Sequence, residues 1–280
     1  MSRIEAAFMK RPGKKALIPF LNTGDPDVDT SLELFQTVLR AGADIVEIGA
    51  PYSDPLADGP VIQASALRSL QSGFAFPHVF EMTSRLRRDT DAGLVLFSYF
   101  NPLLQYGIDR FFRDAESAGA DGVIVPDLPF EESTLVRQAA DTSGVDLIPL
   151  VAPTSSEERV RKICEYARGF VYCVSSLGVT GERAKMSERL QDLVQTAKAY
   201  TNAPVAVGFG VSTPEQARHI ASFADGVIIG SAYVRRIEES LKATDVQSQR
   251  MLAINAVERF TRELSEAIDD ANEWIREGVE

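Results

Sequence analysis

The chain has 280 residues, 45% of them apolar, and its 29 basic and 40 acidic residues give a formal net charge of -11. This length suits one large core, such as an α/β barrel of about 250 residues. The negative charge argues against nucleic acid or anionic lipid as a partner bound through a broad electrostatic surface. The chain has no apolar run of about 18 residues and no secretory signal at its start, so we expect a cytoplasmic protein without membrane spans.

Strand-like and helix-like segments alternate along the whole chain. After a short helix over residues 2–10, eight strand-like runs begin near residues 16, 45, 94, 123, 147, 170, 205 and 227. The third is predicted over 94–100 and the fifth over 147–151. Helices are predicted over 28–40, from 60 onward, and over 79–88, 108–117, 131–141, 156–167, 187–200, 214–223 and much of 233–274.

This alternation predicts a single-domain (β/α)8 TIM barrel over residues 1–280, with extra N-terminal and C-terminal helices. A doubly wound open sheet is the alternative. The sequence Ala-Gly-Ala-Asp occurs at 41–44 and 118–121, each time between a helix and a strand, which indicates weak repetition of a βα unit. The acidic stretch 265–280 is predicted to be a frayed tail.

Residues 46–60 combine a short apolar strand with a loop rich in Pro and Gly, and they carry three carboxylates. Glu47 lies among apolar neighbours, and burial raises the pKa of a carboxylate toward the range useful for proton transfer. The loop prolines restrict the backbone, so Asp54 and Asp58 are expected to be held in place. A purely structural role as turn formers is the alternative.

Histidine and cysteine offer little for catalysis. Cys164 and Cys173 are expected to be small buried apolar groups, and His78 and His219 fall in predicted helices. A metal site or a Ser/His/Asp triad is therefore not expected, and any chemistry is assigned to carboxylates.

Three glycine clusters follow the last three strands, where barrels often hold phosphate. They are 178–181, 208–210 and 230–231, the last at the start of a helix. Glycine lets backbone N–H groups approach an anion closely, and a helix N-terminus adds partial positive charge. The clusters predict a site for a phosphorylated substrate, although each alone is also typical of a plain turn.

The stretch Glu-Ile-Gly-Ala-Pro-Tyr-Ser-Asp-Pro-Leu-Ala-Asp-Gly at 47–59 resembles the signature of the tryptophan synthase alpha subunit family. The likeness extends from Gly-Asp-Pro at 24–26 to Gly-Ser at 230–231. It implies retro-aldol cleavage of indole-3-glycerol phosphate to indole and D-glyceraldehyde 3-phosphate, without an organic cofactor or a metal. It also implies a pyridoxal-phosphate-bearing beta subunit as partner, in an alpha2-beta2 complex that uses the indole to make L-tryptophan.

By this resemblance Glu47 is the general acid and base, and Asp58 hydrogen-bonds the indole N–H. Phe20, Phe97 and Tyr99 lie at predicted strand ends and could form an apolar slot for indole, with core packing as an equal alternative for Phe97. Thr180 is a candidate partner for Asp58. The remaining predicted substrate-binding residues are Gly181, Gly210, Gly230 and Ser231. The predicted partner interface comprises Pro51, Asp54, Asn101, Asp127 and Pro129.

Three rival functions stay open from the sequence. One is a stand-alone lyase that releases free indole. Another is a weakly catalytic partner protein that binds phosphate ligands and regulates the beta subunit, although the presence of both Glu47 and Asp58 argues against it. The third is an unrelated phosphate-binding barrel, such as an isomerase with Glu47 as its base.

Overall fold

The computed structural model describes residues 2–10, 13, 15–174, 183–208 and 210–271, except the side chains of 183–187. The strands in these residues are β1 (Ala16–Asn22), β2 (Ile45–Gly49), β3 (Gly93–Phe97), β4 (Gly122–Ile124), β5 (Asp146–Ile148), β6 (Leu150–Val151), β7 (Val171–Val174), β8 (Val205–Gly208) and β9 (Gly226–Ile229).

The helices of the first half are α1 (Arg3–Met9), α2 (Val28–Ala41), α3 (Pro60–Gln71), α4 (His78–Arg87), α5 (Phe100–Tyr106) and α6 (Ile108–Ala118). Those of the second half are α7 (Thr134–Ser143), α8 (Glu157–Glu165), α9 (Arg183–Tyr200), α10 (Pro214–Ala221), α11 (Ser231–Ser240) and α12 (Val246–Asp269). In the part of the chain that the structure describes, no helix is long and apolar enough to cross a membrane.

All the described strand pairs are parallel, in the order β5-β4-β3-β2-β1-β9-β8-β7-β6. The two ends of this order, β5 and β6, are consecutive in the chain and are separated only by Pro149. Proline has no N–H to donate to a ladder, so the predicted fifth strand is divided in two, one half pairing with β4 and the other with β7. The sheet thereby forms the predicted barrel, nearly closed through Pro149.

Alternation along the strands separates two apolar layers. Side chains that point into the barrel form one cluster, which includes Ile18 and Phe20 of β1, Val95 and Phe97 of β3. Their neighbours in the sequence, such as Leu17, pack outward against the helices in a second and larger cluster. Glu47 is paired in register with Phe20 and Val95, so its side chain enters the barrel.

Three aspartates at the start of strands share one arrangement. The N–H of each donates to the carbonyl of a residue on the neighbouring strand, and the carboxylate accepts from the N–H of that same residue, at 2.8 to 3.1 Å throughout. The pairs are Asp44 with Leu17, Asp121 with Leu94 and Asp225 with Val205. The repeated Ala-Gly-Ala-Asp sequence therefore has a structural role. Its aspartate accepts a hydrogen bond from an N–H group at the start of the neighbouring strand, at what we call the lower end of the barrel.

Helix α1 closes that lower end. Its Ile4 is fully buried in the inner cluster, and Arg3 forms an ion pair with Asp121 at 3.2 Å. Because α1 covers this end of the barrel, the predicted catalytic site is expected at the opposite end, where the strands finish.

Two further predictions of secondary structure were wrong. The third strand ends at Phe97, and Phe100 begins α5, because Pro102 fits the first turn of a helix, where no intrahelical partner for its N–H is needed. The stretch from 265 is not frayed as far as 271: α12 continues to Asp269, and Ala267, Ile268 and Ala271 are buried. Residues 272–280 lie outside the described residues.

Candidate active site

A cavity of about 140 Å³ opens where the strands end, at the face of the barrel opposite α1. Its walls come from the ends of β1, β2, β3, β7 and β9 and from the loops after β2, β8 and β9. The described lining residues are Phe20, Glu47, Asp58, Gly59, Ile62, Phe97, Tyr172, Gly210, Val211, Ile228, Gly230 and Ser231. The cavity thus contains two carboxylates among apolar side chains.

Glu47 is held in the centre of β2 with 1% of its surface exposed. Its Oε1 atom is buried and has no hydrogen-bond partner among the described residues. Burial raises the pKa of Glu47 well above its usual value, and the nearby charge of Asp58 raises it further. A buried carboxyl with a free oxygen facing a cavity is suited to donating and accepting a proton.

Asp58 lies in the loop between β2 and α3 and is partly buried. Burial raises its pKa to about 6, and a hydrogen-bonding interaction with Tyr99 acts in the opposite direction. Asp58 is therefore mostly ionised at neutral pH, whereas Glu47 retains its proton more strongly. Their different environments suit Glu47 to the role of proton donor and Asp58 to the role of hydrogen-bond acceptor.

Aromatic side chains form part of the wall of this cavity. Phe20 and Phe97 pack edge to face with ring centroids 5.2 Å apart, and both line the cavity. Tyr99 lies next to Phe97, at 6.4 Å, and its hydroxyl accepts a hydrogen bond of 3.0 Å from the Ala57 N–H. Tyr99 thus supports the Asp58 loop from behind the cavity wall.

Tyr172 of β7 is a cavity residue that the sequence analysis missed. It is 3% exposed, and burial, followed by the charges of Glu47 and Asp58, raises the pKa of its hydroxyl. Gly208 leaves room for the ring, because a Cβ there would lie 2.7 Å from Tyr172 Cζ and closer still to the hydroxyl. A tyrosine in an inward-facing strand position, two residues after the inward-facing Phe170, was the available signal.

The glycine-rich loops also contribute to the wall of the cavity. Gly210, Gly230 and Ser231 all line it, with Gly210 in the left-handed region at a φ of 82°. Ser231 begins the ten-residue helix α11. No Lys, Arg or His belongs to the described lining, so anion binding here would depend on backbone N–H groups and the helix end. Thr180 and Gly181 lie outside the described residues.

Four of the five predicted interface residues are exposed around the rim of this face: Asp54, Asn101, Asp127 and Pro129. Pro51 is buried, so it offers little surface to a partner. Leu56, in the same loop as Asp54, is 92% exposed. A single exposed apolar side chain is common on protein surfaces, so Leu56 by itself does not identify an interface.

Comparison with known proteins gives a consistent family. A family model described as tryptophan synthase alpha chain matches residues 6–266. A tryptophan synthase alpha chain of Thermoanaerobacter sp. (strain X514) is 43% identical over 270 residues, which are 96% of this chain and 100% of the relative. Another, of Synechococcus elongatus, is 46% identical over 264 residues, or 94% of this chain and 95% of the relative.

Solved structures agree. Tryptophan synthase subunit alpha from Legionella pneumophila superposes with a TM-score of 0.86 at 36% identity, covering 96% of this chain and 99% of that one. A chain of tryptophan synthase from M. tuberculosis, in the aminoacrylate-bound form, gives a TM-score of 0.84 at 34% identity, with 96% and 100% covered. On the family match, the full-length relatives and the shared barrel, this chain belongs to the family of tryptophan synthase alpha chains, the lyases that cleave indole-3-glycerol phosphate.

Proposed function

We propose that Glu47 moves the protons of the lyase reaction and that Asp58 holds the indole N–H. The observation that carries this assignment is the convergence of two carboxylates on one cavity in different environments. Glu47 is fully buried, and its Oε1 has no hydrogen-bond partner in the part of the chain that the structure describes, whereas burial raises the pKa of the less buried Asp58 to about 6. Burial therefore favours the protonated form of Glu47, whereas Asp58 is mostly ionised at neutral pH. That pair of states is what the cleavage requires.

The proton balance of the reaction closes on these two groups. Glu47 donates its proton to the indole ring carbon that bears the side chain, and the ring nitrogen becomes positively charged. The Asp58 carboxylate accepts a hydrogen bond from the ring N–H and stabilises this charge. The Glu47 carboxylate then takes the proton of the side-chain hydroxyl. As the hydroxyl carbon becomes an aldehyde, the carbon–carbon bond breaks and its electron pair returns to the ring, which gives indole and D-glyceraldehyde 3-phosphate.

Apolar and glycine-rich parts of the cavity wall suit the two ends of the substrate. The indole ring would lie against Phe20, Phe97 and Tyr172, near both carboxylates. The phosphate would lie at Gly210 and at the start of α11, formed by Gly230 and Ser231, where N–H groups and the helix dipole favour an anion. Thr180 and Gly181 stay predictions for the same end of the substrate.

We further propose that the indole passes to a beta subunit for L-tryptophan synthesis, in an alpha2-beta2 complex. The similarity to the tryptophan synthase of M. tuberculosis supports this proposal. The docking face would comprise Asp54, Asn101, Asp127 and Pro129, which are exposed at the same end of the barrel as the cavity. A short path for indole would follow from that placement.

Indole release from indole-3-glycerol phosphate, measured with and without a beta subunit, tests the function. Slow release that rises steeply with the beta subunit is the expected result. Rapid release by the chain alone would instead establish the stand-alone lyase, and no release in either case would refute the reaction.

The residue roles need their own test. Glu47→Gln and Asp58→Asn are each expected to lower kcat by about 100- to 10,000-fold, the usual contribution of a general acid–base group. Glu258→Gln is the matched control, since this glutamate pairs only with Arg262 on the exposed face of α12 in the described contacts. Near-normal turnover in either active-site variant would overturn its assignment.

A further inference from the structure

Helix α5 receives its N-terminal cap from a different loop. Its own N-cap residue is Tyr99, whose side chain makes no capping hydrogen bond, so the N–H groups of the first turn need another acceptor. The Asp127 carboxylate, in the loop after β4, supplies one: Oδ1 accepts from the Phe100 N–H at 2.8 Å. Its negative charge also suits the positive end of a helix. Asp127 therefore helps to fix where α5 begins.

The first turn of α5 is in contact with the catalytic loop at two points. The Tyr99 hydroxyl accepts from the Ala57 N–H at 3.0 Å and interacts with the Asp58 carboxylate. Asn101, two residues further on, donates to the Tyr52 hydroxyl at 2.9 Å, and the Tyr52 ring lies 5.6 Å from that of Tyr99. The start of α5 is thus the support against which the loop after β2 rests.

We propose that Asp127 is a positioning residue for the lyase reaction, because its cap on α5 holds Tyr99 where the Tyr99 hydroxyl orients Asp58. The proposal rests on the proposed role of Asp58. Asp127 is exposed and is not among the described residues that line the cavity, so it acts only through Tyr99. A role at the docking face and this role are independent properties of the same carboxylate.

The acid limb of the pH profile reports on Asp58. The other titratable side chains that face it in the described structure are Glu47 from β2, Tyr99 from the segment before α5 and Tyr172 from β7. Burial raises the pKa of both tyrosines above their usual value, and burial with the Asp58 charge does so for Glu47. Because the ionised Asp58 raises the pKa of Glu47, we assign the acid limb to Asp58.

The test is the pH dependence of indole release by the full-length chain without a beta subunit, so that a docking defect cannot contribute. Asp127→Ala is expected to lower kcat/KM by about 3- to 30-fold, the range that the loss of a helix cap corresponds to. The contact with Tyr99 lowers the pKa of Asp58, so losing it should raise that pKa and move the acid limb to higher pH. Tyr99→Phe, which removes the hydroxyl directly, should give the same shift. Asp127→Asn keeps the acceptor and should resemble the wild type.

Two further variants make the result decisive. In Asp127→Ala combined with Tyr99→Phe, kcat/KM should stay within about twofold of Tyr99→Phe alone, because both changes interrupt one chain of contacts. Asp245→Ala removes a cap of the same kind, at the start of α12, where Oδ1 accepts from the Ser248 N–H at 2.8 Å, and should leave the pH profile unchanged.

Several results would overturn the proposal. They are losses that multiply in the double variant, an unchanged acid limb in Asp127→Ala, an Asp127→Asn variant that behaves like Asp127→Ala, or an equal shift in Asp245→Ala. If these occur while Glu47→Gln and Asp58→Asn are inactive, only the positioning role fails. If Glu47→Gln and Asp58→Asn are active, the proposed function fails as well.

Discussion

Replacing Asp58 by Asn is expected to stabilise the folded chain at alkaline pH while it abolishes activity. Asp58 has a pKa near 3.8 when exposed and about 6 in the fold, where burial disfavours its charged form. Between these values the folded state binds more protons than the unfolded state, so the stability of the wild type falls as the pH rises. Asn carries no charge and removes this dependence.

The shift in pKa sets the size of the effect. It corresponds to about 3 kcal/mol in favour of Asp58→Asn at pH 8, about half of that near pH 5, and less than about 0.5 kcal/mol at pH 3.8. Asn retains an oxygen that accepts from Tyr99, so the variant exchanges the charge and leaves the contact.

Urea unfolding at a series of pH values measures this difference. A chain of this size can unfold through intermediates. The measurement therefore follows the loss of the native state itself, through the near-ultraviolet circular dichroism of the buried tyrosines. Asp54→Asn is the control, because it removes an exposed carboxylate from the same loop. A stability difference that does not change with pH, or an Asp58→Asn variant less stable than wild type at pH 8, would refute the reasoning.

Three other outcomes are expected. The kcat/KM for indole release should fall as the pH is lowered through about 6, because Asp58 must be ionised to accept the indole N–H. Gly208→Ala should displace the Tyr172 ring and cost about 1 to 3 kcal/mol in unfolding free energy together with activity, measured by urea unfolding and indole release. Asp25→Asn should cost about 1.5 to 3 kcal/mol in the same unfolding experiment, because Asp25 is 2% exposed and its charge accepts two hydrogen bonds of 2.8 Å from Arg68.

Each of the two substitutions has a matched control. Gly59→Ala adds a Cβ that meets nothing within 4 Å, so it should change stability far less than Gly208→Ala. Glu33→Gln breaks a surface ion pair with Arg250, which is typically worth less than about 1 kcal/mol. A flat activity profile between pH 5 and 8, or equal losses in a variant and its control, would contradict the corresponding argument.

Much of the fold could be predicted from local patterns. Alternating apolar strands and amphipathic helices indicated the barrel, and the observed elements begin and end near the predicted positions. The errors fell where local patterns compete with a special residue: Pro149 interrupts the fifth strand, and Pro102 sits in a helix that the apolar run 94–100 had concealed. The end of α12 shows the same limit. Its acidic composition predicted a frayed tail, but the apolar residues of this segment are buried.

The candidate site divides in the same way. Glu47 and Asp58 could be selected from one contiguous stretch, and both line the cavity. The alternation of the strand could place Tyr172 on the same face as Phe170, but this tyrosine becomes a cavity residue only when the barrel brings β7 beside β8. The cap from Asp127 to Phe100 joins residues 27 positions apart and has no sequence signature.

The sequence by itself determined the order of strands and helices, the carboxylates available for the chemistry and the family signature around them, because periodicity and motif are properties of neighbouring residues. Only the tertiary structure decided which of those carboxylates share a cavity, how deeply each is buried and therefore how far apart their pKa values lie. Burial and charge interactions depend on groups that the closed sheet brings together from distant strands, and no local pattern contains that information.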